Sequence, residues 1–278
     1  MNAGLVRIPI LYYNTVMNQK VLVTLEYDKI IGILKTHVSS PVGGEFADAL
    51  RPAESLRDAE ALLQQTTEAD DVYRRTGKTP VANFPDIRPL IGKLHAALYV
   101  STGELLAIAR VLRTSREAKN VLQDGEAEGL LCNMANQLAS HRSVEEEIAR
   151  CILAEDEIAD IASPELSRIR RQIKIVGERV REKLNTMIKS ASTQKYLQEP
   201  IITVRNGRYA LPVKAEHRAQ VPGLVHDQSS SGATVFIEPA AVVELGNENK
   251  RLLAEEKNEI ERILAGLTAM VAPYENEL

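Results

Sequence analysis

The stretch EPIITVRNGRYALPVKAEHRAQVPGLVHDQSSSGATVFIE (199–238) differs in its hydrophobic pattern from the sequence on both sides of it. Asn206-Gly207 lies between two short apolar segments and predicts a two-residue type I′ turn, because both positions of that turn need a positive φ. Patterns typical of strands occur at 201–205, 208–213, 224–228 and 233–237. We therefore expect a small antiparallel β module set between helices.

A long helix is predicted on each side of this module. Ser163-Pro164-Glu165 indicates a helix start, because it combines a capping hydroxyl, a first-turn proline and an acid near the positive end of the helix. We expect this helix to reach about Tyr196. Glu238-Pro239 opens the second long helix. A nearly heptad apolar seam runs along the first one, with the members Leu166, Ile169, Ile173, Val176, Val180, Leu184 and Met187.

The residues before the first long helix predict one helix after another, up to about Ile152. Asp28, Ser55 and Ser101 each precede a helical pattern and are expected to cap it. Leu, Ala, Ile and Val supply the packing, because Trp is absent and only 4% of the residues are aromatic. These features favour a mainly α protein.

Gly77-Lys78-Thr79 resembles part of a phosphate-binding loop, but Val72 occupies the position where that motif needs a further glycine. We interpret these residues as a turn that ends a helix. The five histidines are not spaced as metal ligands, and His226-Asp227 near three serines lacks the context of a hydrolase triad. We expect no catalytic residue and no metal site in this chain.

The whole chain has a formal net charge of -4, so any nucleic-acid-binding surface must be local. Two cysteines, Cys132 and Cys151, are interpreted as reduced core thiols of a cytoplasmic protein. No apolar run is long enough to span a membrane, and the N-terminus lacks a convincing signal-peptide cleavage site.

Charge is distributed unevenly between the two long helices. The first has nine bases against Glu178 and Glu182; the bases are Arg168, Arg170, Arg171, Lys174, Arg179, Arg181, Lys183, Lys189 and Lys195. The second is acidic, with Glu238, Glu244, Glu248, Glu255, Glu256, Glu259 and Glu261. Either the helices pair and neutralise each other, or a basic face contacts phosphates; both accounts hold if different sides are involved.

The segment LQEPIITVRNGRYALPVKAEHRAQVPGLVHDQSSSGATVFIEPAAVVELGNENKRL (197–252) closely resembles the second bacterial MutS family, the class that carries a C-terminal Smr domain. TLEYDKIIGILKTHVSSPVG (24–43) and the helix start at Ser163 are similar to the same family. The resemblance covers roughly residues 20–278. It implies a helical core, two long lever helices and a small β clamp that touches nucleic-acid backbone at their far end.

Full-length members of this family are similar to dimeric ATPases that bind branched DNA and limit recombination, and some are linked to rescue of stalled ribosomes. The resemblance implies ATP and Mg²⁺ as cofactors of the full-length protein, and a nuclease role is attributed to the Smr domain. The phosphate loop and the Smr region would lie beyond Leu278, so we expect no cofactor and no enzyme activity in this fragment.

The resemblance and the residue pattern together give five expected segments. They are a disordered or artefactual extension (1–19), a helical core (20–162), a lever helix (163–198), the β clamp (199–238) and a truncated second helix (239–278). Cations and short polar side chains suit contact with a sugar-phosphate backbone, whereas the scarcity of aromatics does not suit base stacking. The expected nucleic-acid-binding residues are Arg205, Asn206, Arg208, Lys214, Arg218, His226, Gln228 and Ser229.

Two functions remain open from the sequence. The first is a clamp and lever segment that binds DNA, or the ribosome and its RNA, within a homodimeric protein that has no membrane contact. The alternative is a coiled-coil module that mediates dimerisation or partner docking without touching nucleic acid. Salt-dependent binding to nucleic acid distinguishes the two.

Overall fold

A computed structural model describes residues 19–79, 81–123 and 129–278 of the chain. The protein is mainly α, with a small antiparallel β component, as the sequence predicted. It divides into two compact units. Among the described residues, the first unit contains those up to Lys93, those within Ala107–Glu145, and Tyr274–Leu278; the second contains Leu94–Leu106 and Glu146–Pro273. The expected N-terminal extension falls almost entirely outside the described residues.

Helices follow one another through the first part of the chain, which confirms the predicted pattern. Where they begin and end depends on single capping residues. They are α1 (Gln19–Thr24), α2 (Tyr27–Thr36), α3 (Pro41–Ala49), α4 (Leu56–Thr76), α5 (Arg88–Ile91), α6 (Thr102–Gln123), α7 (Leu130–Asn136) and α8 (Arg142–Cys151).

The predicted caps of α4 and α6 are confirmed, whereas that of α2 is wrong. The Ser55 hydroxyl accepts a hydrogen bond from the Asp58 amide at the start of α4, and Gly77 ends that helix at φ 67°. Ser101 likewise accepts from the Glu104 amide in the first turn of α6. Asp28 lies inside the first turn of α2 instead of capping it, because the helix already begins at Tyr27 and Glu26, with φ 53°, occupies the cap position.

A short hairpin that the sequence did not predict precedes the first long helix. Its strands are β1 (Ile152–Ala154) and β2 (Glu157–Ile158), which pair antiparallel with an irregular register. Two- and three-residue strands are too short to show an alternating hydrophobic pattern, so the sequence does not reveal them.

The first long helix is α9 (Pro164–Lys189), and the Ser163 hydroxyl caps it by accepting a 2.9 Å hydrogen bond from the Leu166 amide. Its end was predicted wrongly, since Ser190 is extended and only a short helix, α10 (Ala191–Gln194), follows. The chain has to turn back here because Leu197 pairs with Val213 of the sheet. Five of the seven predicted seam residues are buried, namely Leu166, Ile169, Val176, Val180 and Leu184. Ile173 and Met187 are only partly buried, and Ile188 is buried beside Met187.

The β module is a four-stranded antiparallel sheet of strand order β3-β4-β6-β5. Asn206 and Gly207 form the predicted turn, with φ 50° and 73°, between the paired residues Arg205 and Arg208. A 3-10 helix at Ala215–Gln220 joins the second and third strands. The strands are β3 (Thr203–Arg205), β4 (Arg208–Lys214), β5 (Gly223–Gln228) and β6 (Thr234–Pro239).

The second long helix, α11 (Ala240–Val271), runs antiparallel to α9. Ser163 at the start of α9 donates to Glu259 in the second half of α11, whereas Lys183 near the end of α9 donates to the carbonyl of Ala241. The sheet therefore joins the two helices at the end of the pair remote from Ser163. One apolar cluster connects sheet and helices; it contains Val180, Leu184, Ile188, Leu197, Leu211, Val213, Val221, Val235, Ile237 and Val242.

Candidate nucleic-acid interface

A buried carboxylate organises one end of the β module. Glu238 is 1% exposed, and its Oε2 lies 2.7 Å from His226 Nε2 while its Oε1 accepts from Arg208 Nη1 at 3.3 Å. The other guanidinium nitrogen of Arg208 donates to Asn247 Oδ1 of α11 at 2.8 Å. Because a buried carboxylate is costly unless it is paired, these contacts hold Arg208 and His226 inside the module.

The β3–β4 turn is attached to β5 by polar contacts. Asn206 Nδ2 donates to the carbonyl oxygen of His226 at 3.0 Å. The Arg205 guanidinium lies over the Phe236 ring, 4.2 Å from its centroid, and its Nε is 3.5 Å from Asp227 Oδ2. The Arg205 side chain still exposes 43% of its surface, so it remains able to reach a phosphate.

The other predicted residues lie at the opposite end of β4. Lys214 Nζ is 3.4 Å from the Lys195 carbonyl oxygen, and Arg218 is exposed in the 3-10 helix. Gln228 Nε2 donates to the Gly232 carbonyl, and the Ser229 hydroxyl accepts from the Thr234 amide. Among the described residues, neither Lys214, which is partly buried, nor Arg218, which is exposed, forms a salt bridge with a carboxylate.

The eight predicted residues thus share one module but form two groups. Arg205, Asn206, Arg208 and His226 lie at the start of β4. Lys214, Arg218, Gln228 and Ser229 lie at or beyond its end. At about 3.3 Å per residue, Arg208 and Lys214 at the two ends of β4 are roughly 20 Å apart, whereas His226 and Gln228 are only two residues apart on β5. Sequence spacing did not reveal that Arg208 and His226 share a partner.

Helix α9 presents further cations along its length. Arg170 is paired with Glu256 of α11 and with Asp160, so part of the basic charge is neutralised between the helices. Arg181 lies over the Tyr209 ring, 5.9 Å from the centroid. Lys195 is in the segment after α10, not in the long helix. Several exposed cations of α9 make no salt bridge within the described part of the chain: Arg171, Lys174, Arg179 and Lys189.

The fold also brings together residues that the sequence did not group. The rings of Tyr196 and His217 lie 5.2 Å apart at a tilt of 60°, and the Lys195 ammonium is 4.8 Å from the Tyr196 centroid. The backbone amide of Lys214 donates to the Tyr196 carbonyl, which fixes this group against the end of β4. We call Lys195, Tyr196, Lys214, His217 and Arg218 the Tyr196–His217 patch.

No sequence signal pointed to this patch, because its parts come from three separate elements. Tyr196 was expected to end a helix and His217 to lie in a strand connection. The break at Ser190 and the bridge between Leu197 and Val213 are what place the two rings side by side. Recognising that break would have required knowing the tertiary pairing.

The described residues give no sign of a metal or membrane site. Within 19–79, 81–123 and 129–278, no group of three or more His, Cys, Asp or Glu side chains is placed to hold a metal ion. Over the same ranges, every helix is either too short or too polar to cross a bilayer.

Comparison with known proteins identifies relatives of this chain. The protein of Alkaliphilus oremlandii named Endonuclease MutS2 is 41% identical over 265 residues, which cover 94% of this chain and 34% of that protein. The proteins of the same name from Ruminiclostridium cellulolyticum and Clostridioides difficile are 43% and 39% identical over 266 residues, with the same shares of chain and relative. Over its aligned length, the chain belongs to the MutS2 family.

The similarity covers only part of each relative. This MutS2-family chain spans about a third of the length of the curated relatives that it matches. No protein-family model matches it. The word endonuclease in the names of the relatives describes those longer proteins.

Proposed function

We propose that the β module and the adjacent face of α9 bind the sugar-phosphate backbone of nucleic acid. The observation that carries this proposal is a set of cations without carboxylate partners among the described residues, located in the β module and along α9. Its members are Arg171, Lys174, Arg179, Lys189, Lys214 and Arg218. Arg205, which is only loosely paired with Asp227, adds to the set.

Such a surface recognises charge and not sequence. Lysine and arginine side chains neutralise phosphates and release condensed counterions, so affinity falls as salt rises. If about five phosphates are contacted in duplex DNA, the slope of log K against log salt should be roughly -4 to -5.

The eight predicted residues have two different roles in this proposal, which cut across their positions in the sheet. Lys214, Arg218 and Arg205 contact phosphates directly, with Asn206, Gln228 and Ser229 as neutral donors near them. Arg208 and His226 act indirectly, because their side chains are bound to Glu238 and shape the sheet. Loss of either should therefore affect stability before it affects binding.

We place this segment in a longer homodimeric ATPase that binds branched DNA and limits recombination, or that acts on stalled ribosomes. The basis is the MutS2 family membership and the greater length of the relatives. In this proposal ATP and Mg²⁺ are bound, and any cleavage is carried out, by parts of the protein other than this chain. We place the protein in the cytoplasm, where both targets lie.

The alternative, a coiled-coil module that only mediates dimerisation, is less well supported. The apolar seam of α9, including Leu166, Val180 and Leu184, is buried, and α11 of the same chain packs along the helix. Because these seam residues are already buried within one chain, they offer little apolar surface to a second copy.

Charge reversal combined with salt titration tests the proposal. Binding of the chain to duplex DNA, a DNA four-way junction and ribosomes is measured at two salt concentrations. Lys214→Glu with Arg218→Glu should weaken binding to all of them and flatten the salt dependence. The matched control is Lys29→Glu with Lys78→Glu, which makes the same net-charge change on exposed lysines of the first unit. Equal losses for both pairs, or unchanged binding at low salt, would overturn the proposal.

A further inference from the structure

The Tyr196–His217 patch combines aromatic rings with cations, which phosphate binding alone does not require. The His217 side chain exposes 35% of its surface, and Tyr196 is half-buried against the apolar cluster of the module. The partly exposed His217 ring, with the Tyr196 ring packed against it at a tilt of 60°, presents one aromatic face. Such surfaces stack on nucleic-acid bases, because every base has a π face.

The charges around the rings suit an anion that is attached to a base. Lys195 and Lys214 lie beside the pair, Arg218 follows His217 in the chain, and Glu216, whose Oε1 lies 3.5 Å from His217 Nε2, is the acid next to it. Lys214 and Arg218 make no salt bridge within the described ranges. The Lys195 ammonium rests over the Tyr196 ring, a position that a long exposed side chain can leave when another partner arrives.

We infer that the Tyr196–His217 patch binds unpaired nucleotides, with a base stacked on the His217 ring that Tyr196 supports and its flanking phosphates on Lys195, Lys214 and Arg218. This inference rests on the proposed function and names the substrate feature that the module prefers. Bases inside an intact duplex are already stacked on their neighbours and cannot reach the rings. Single strands, junctions and loops of DNA or RNA expose such bases.

Two binding curves for each variant test the inference. Fluorescence anisotropy measures the affinity of the chain for a labelled single-stranded oligonucleotide and for a duplex of the same length at one salt concentration. A second single strand carries one 2-aminopurine, whose fluorescence falls when the base stacks on a protein ring. The wild-type chain should quench this probe.

His217→Ala should weaken single-strand binding roughly five- to tenfold, near the low end of what one stacked base contributes, and leave duplex binding nearly unchanged. His217→Phe keeps a flat ring and should restore both affinity and quenching. Tyr196→Leu keeps the apolar packing, so it should remain folded while it reduces quenching. Gln220→Ala, on the same 3-10 helix, is the matched control and should resemble the wild type.

The outcomes separate this inference from the proposed function. If the wild-type chain binds neither oligonucleotide, the proposed function fails, and this inference fails with it. If it binds both but His217→Ala weakens them equally, or no quenching occurs, the unpaired-base inference fails while backbone binding stands. Separate single-stranded DNA and RNA arms show which of the two the patch accepts.

Discussion

The carboxylate of Glu238 and the imidazole of His226 meet 2.7 Å apart inside the β module, although twelve residues separate them in the chain. Arg208 completes the group from a neighbouring strand. The three side chains join β4, β5 and β6 at the point where the chain enters α11. The stability of the module should therefore depend on this one carboxylate.

Glu238→Gln removes the charge and keeps the shape of the side chain. It should lower the free energy of unfolding by about 3 kcal/mol, because Arg208 is then left largely buried without its counterion. Urea unfolding followed by circular dichroism measures the change. Glu216→Gln, at a side chain that is 75% exposed, is the control and should stay within about 0.5 kcal/mol of the wild type. Similar losses of stability in the two variants would show that the ion pairs of buried Glu238 do not stabilise the module.

Two glycines of α11 should respond to alanine in opposite directions. A Cβ at Gly246 would lie 2.1 Å from Glu238 Oε1 and 2.8 Å from Arg208 Nη1, whereas nothing lies within 4 Å of one at Gly266. Gly246→Ala should cost about 1–3 kcal/mol of stability through overpacking. Gly266→Ala should stabilise the protein by about 0.5–1 kcal/mol, because alanine is the better helix former. Thermal unfolding of both variants measures these changes. A more stable Gly246→Ala variant would contradict the close packing of Gly246 against Glu238 and Arg208.

Glu145 in the first unit should make stability fall in acid. Hydrogen bonds from the Arg116 and Arg113 guanidinium groups hold the pKa of this buried carboxyl below its ordinary value of 4.5. Because the folded-state pKa is the lower one, the stabilisation is complete above the unfolded-state pKa and is lost as the pH falls through the folded-state value. Glu145→Gln should be less stable than the wild type at pH 7, and the difference should shrink below pH 4.5. Urea titrations at several pH values measure the difference in free energy of unfolding between the two proteins. A difference that grows as the pH falls would contradict a lowered pKa for Glu145.

The serines that cap α9 and α4 allow a matched comparison. Both hydroxyls accept from the third amide of their helix, but Ser163 is buried and also donates to Glu259 of α11, whereas Ser55 is exposed. Ser55→Ala should cost about 1 kcal/mol, a usual value for a lost cap. Ser163→Ala should cost roughly 2 kcal/mol, because it also leaves a buried carboxylate with one hydrogen bond fewer. Equal costs in urea unfolding would mean that the contact with Glu259 contributes nothing.

Local rules were enough for much of this fold. The cap at Ser163, the seam of α9 and the Asn206-Gly207 turn each depend on neighbours in sequence, and all three were predicted. The early end of α9 was not, because Ser190 breaks the helix to satisfy a pairing between Leu197 and Val213. A residue pattern contains no information about that distant partner.

The arrangement of the candidate site was even harder to predict from local sequence patterns than the fold. Composition identified a polar and basic module, but not which cations face solvent. Arg208 and Arg218 look equivalent in sequence, yet one is bound to buried Glu238 and the other is exposed. Likewise, Tyr196 and His217 are twenty-one positions apart and form a pair only because the chain folds back between them. Tertiary pairing decided each of these cases.

The antiparallel course of α9 and α11 has a consequence for modularity. Lys183 Nζ lies 3.3 Å from the carbonyl oxygen of Ala241, so the last turns of α9 lie beside the first turn of α11. The sheet is therefore an insertion at the bend of a helical hairpin. A tight loop joining the helices near that contact would close the hairpin without the sheet, and another compact domain with adjacent termini could be transplanted there.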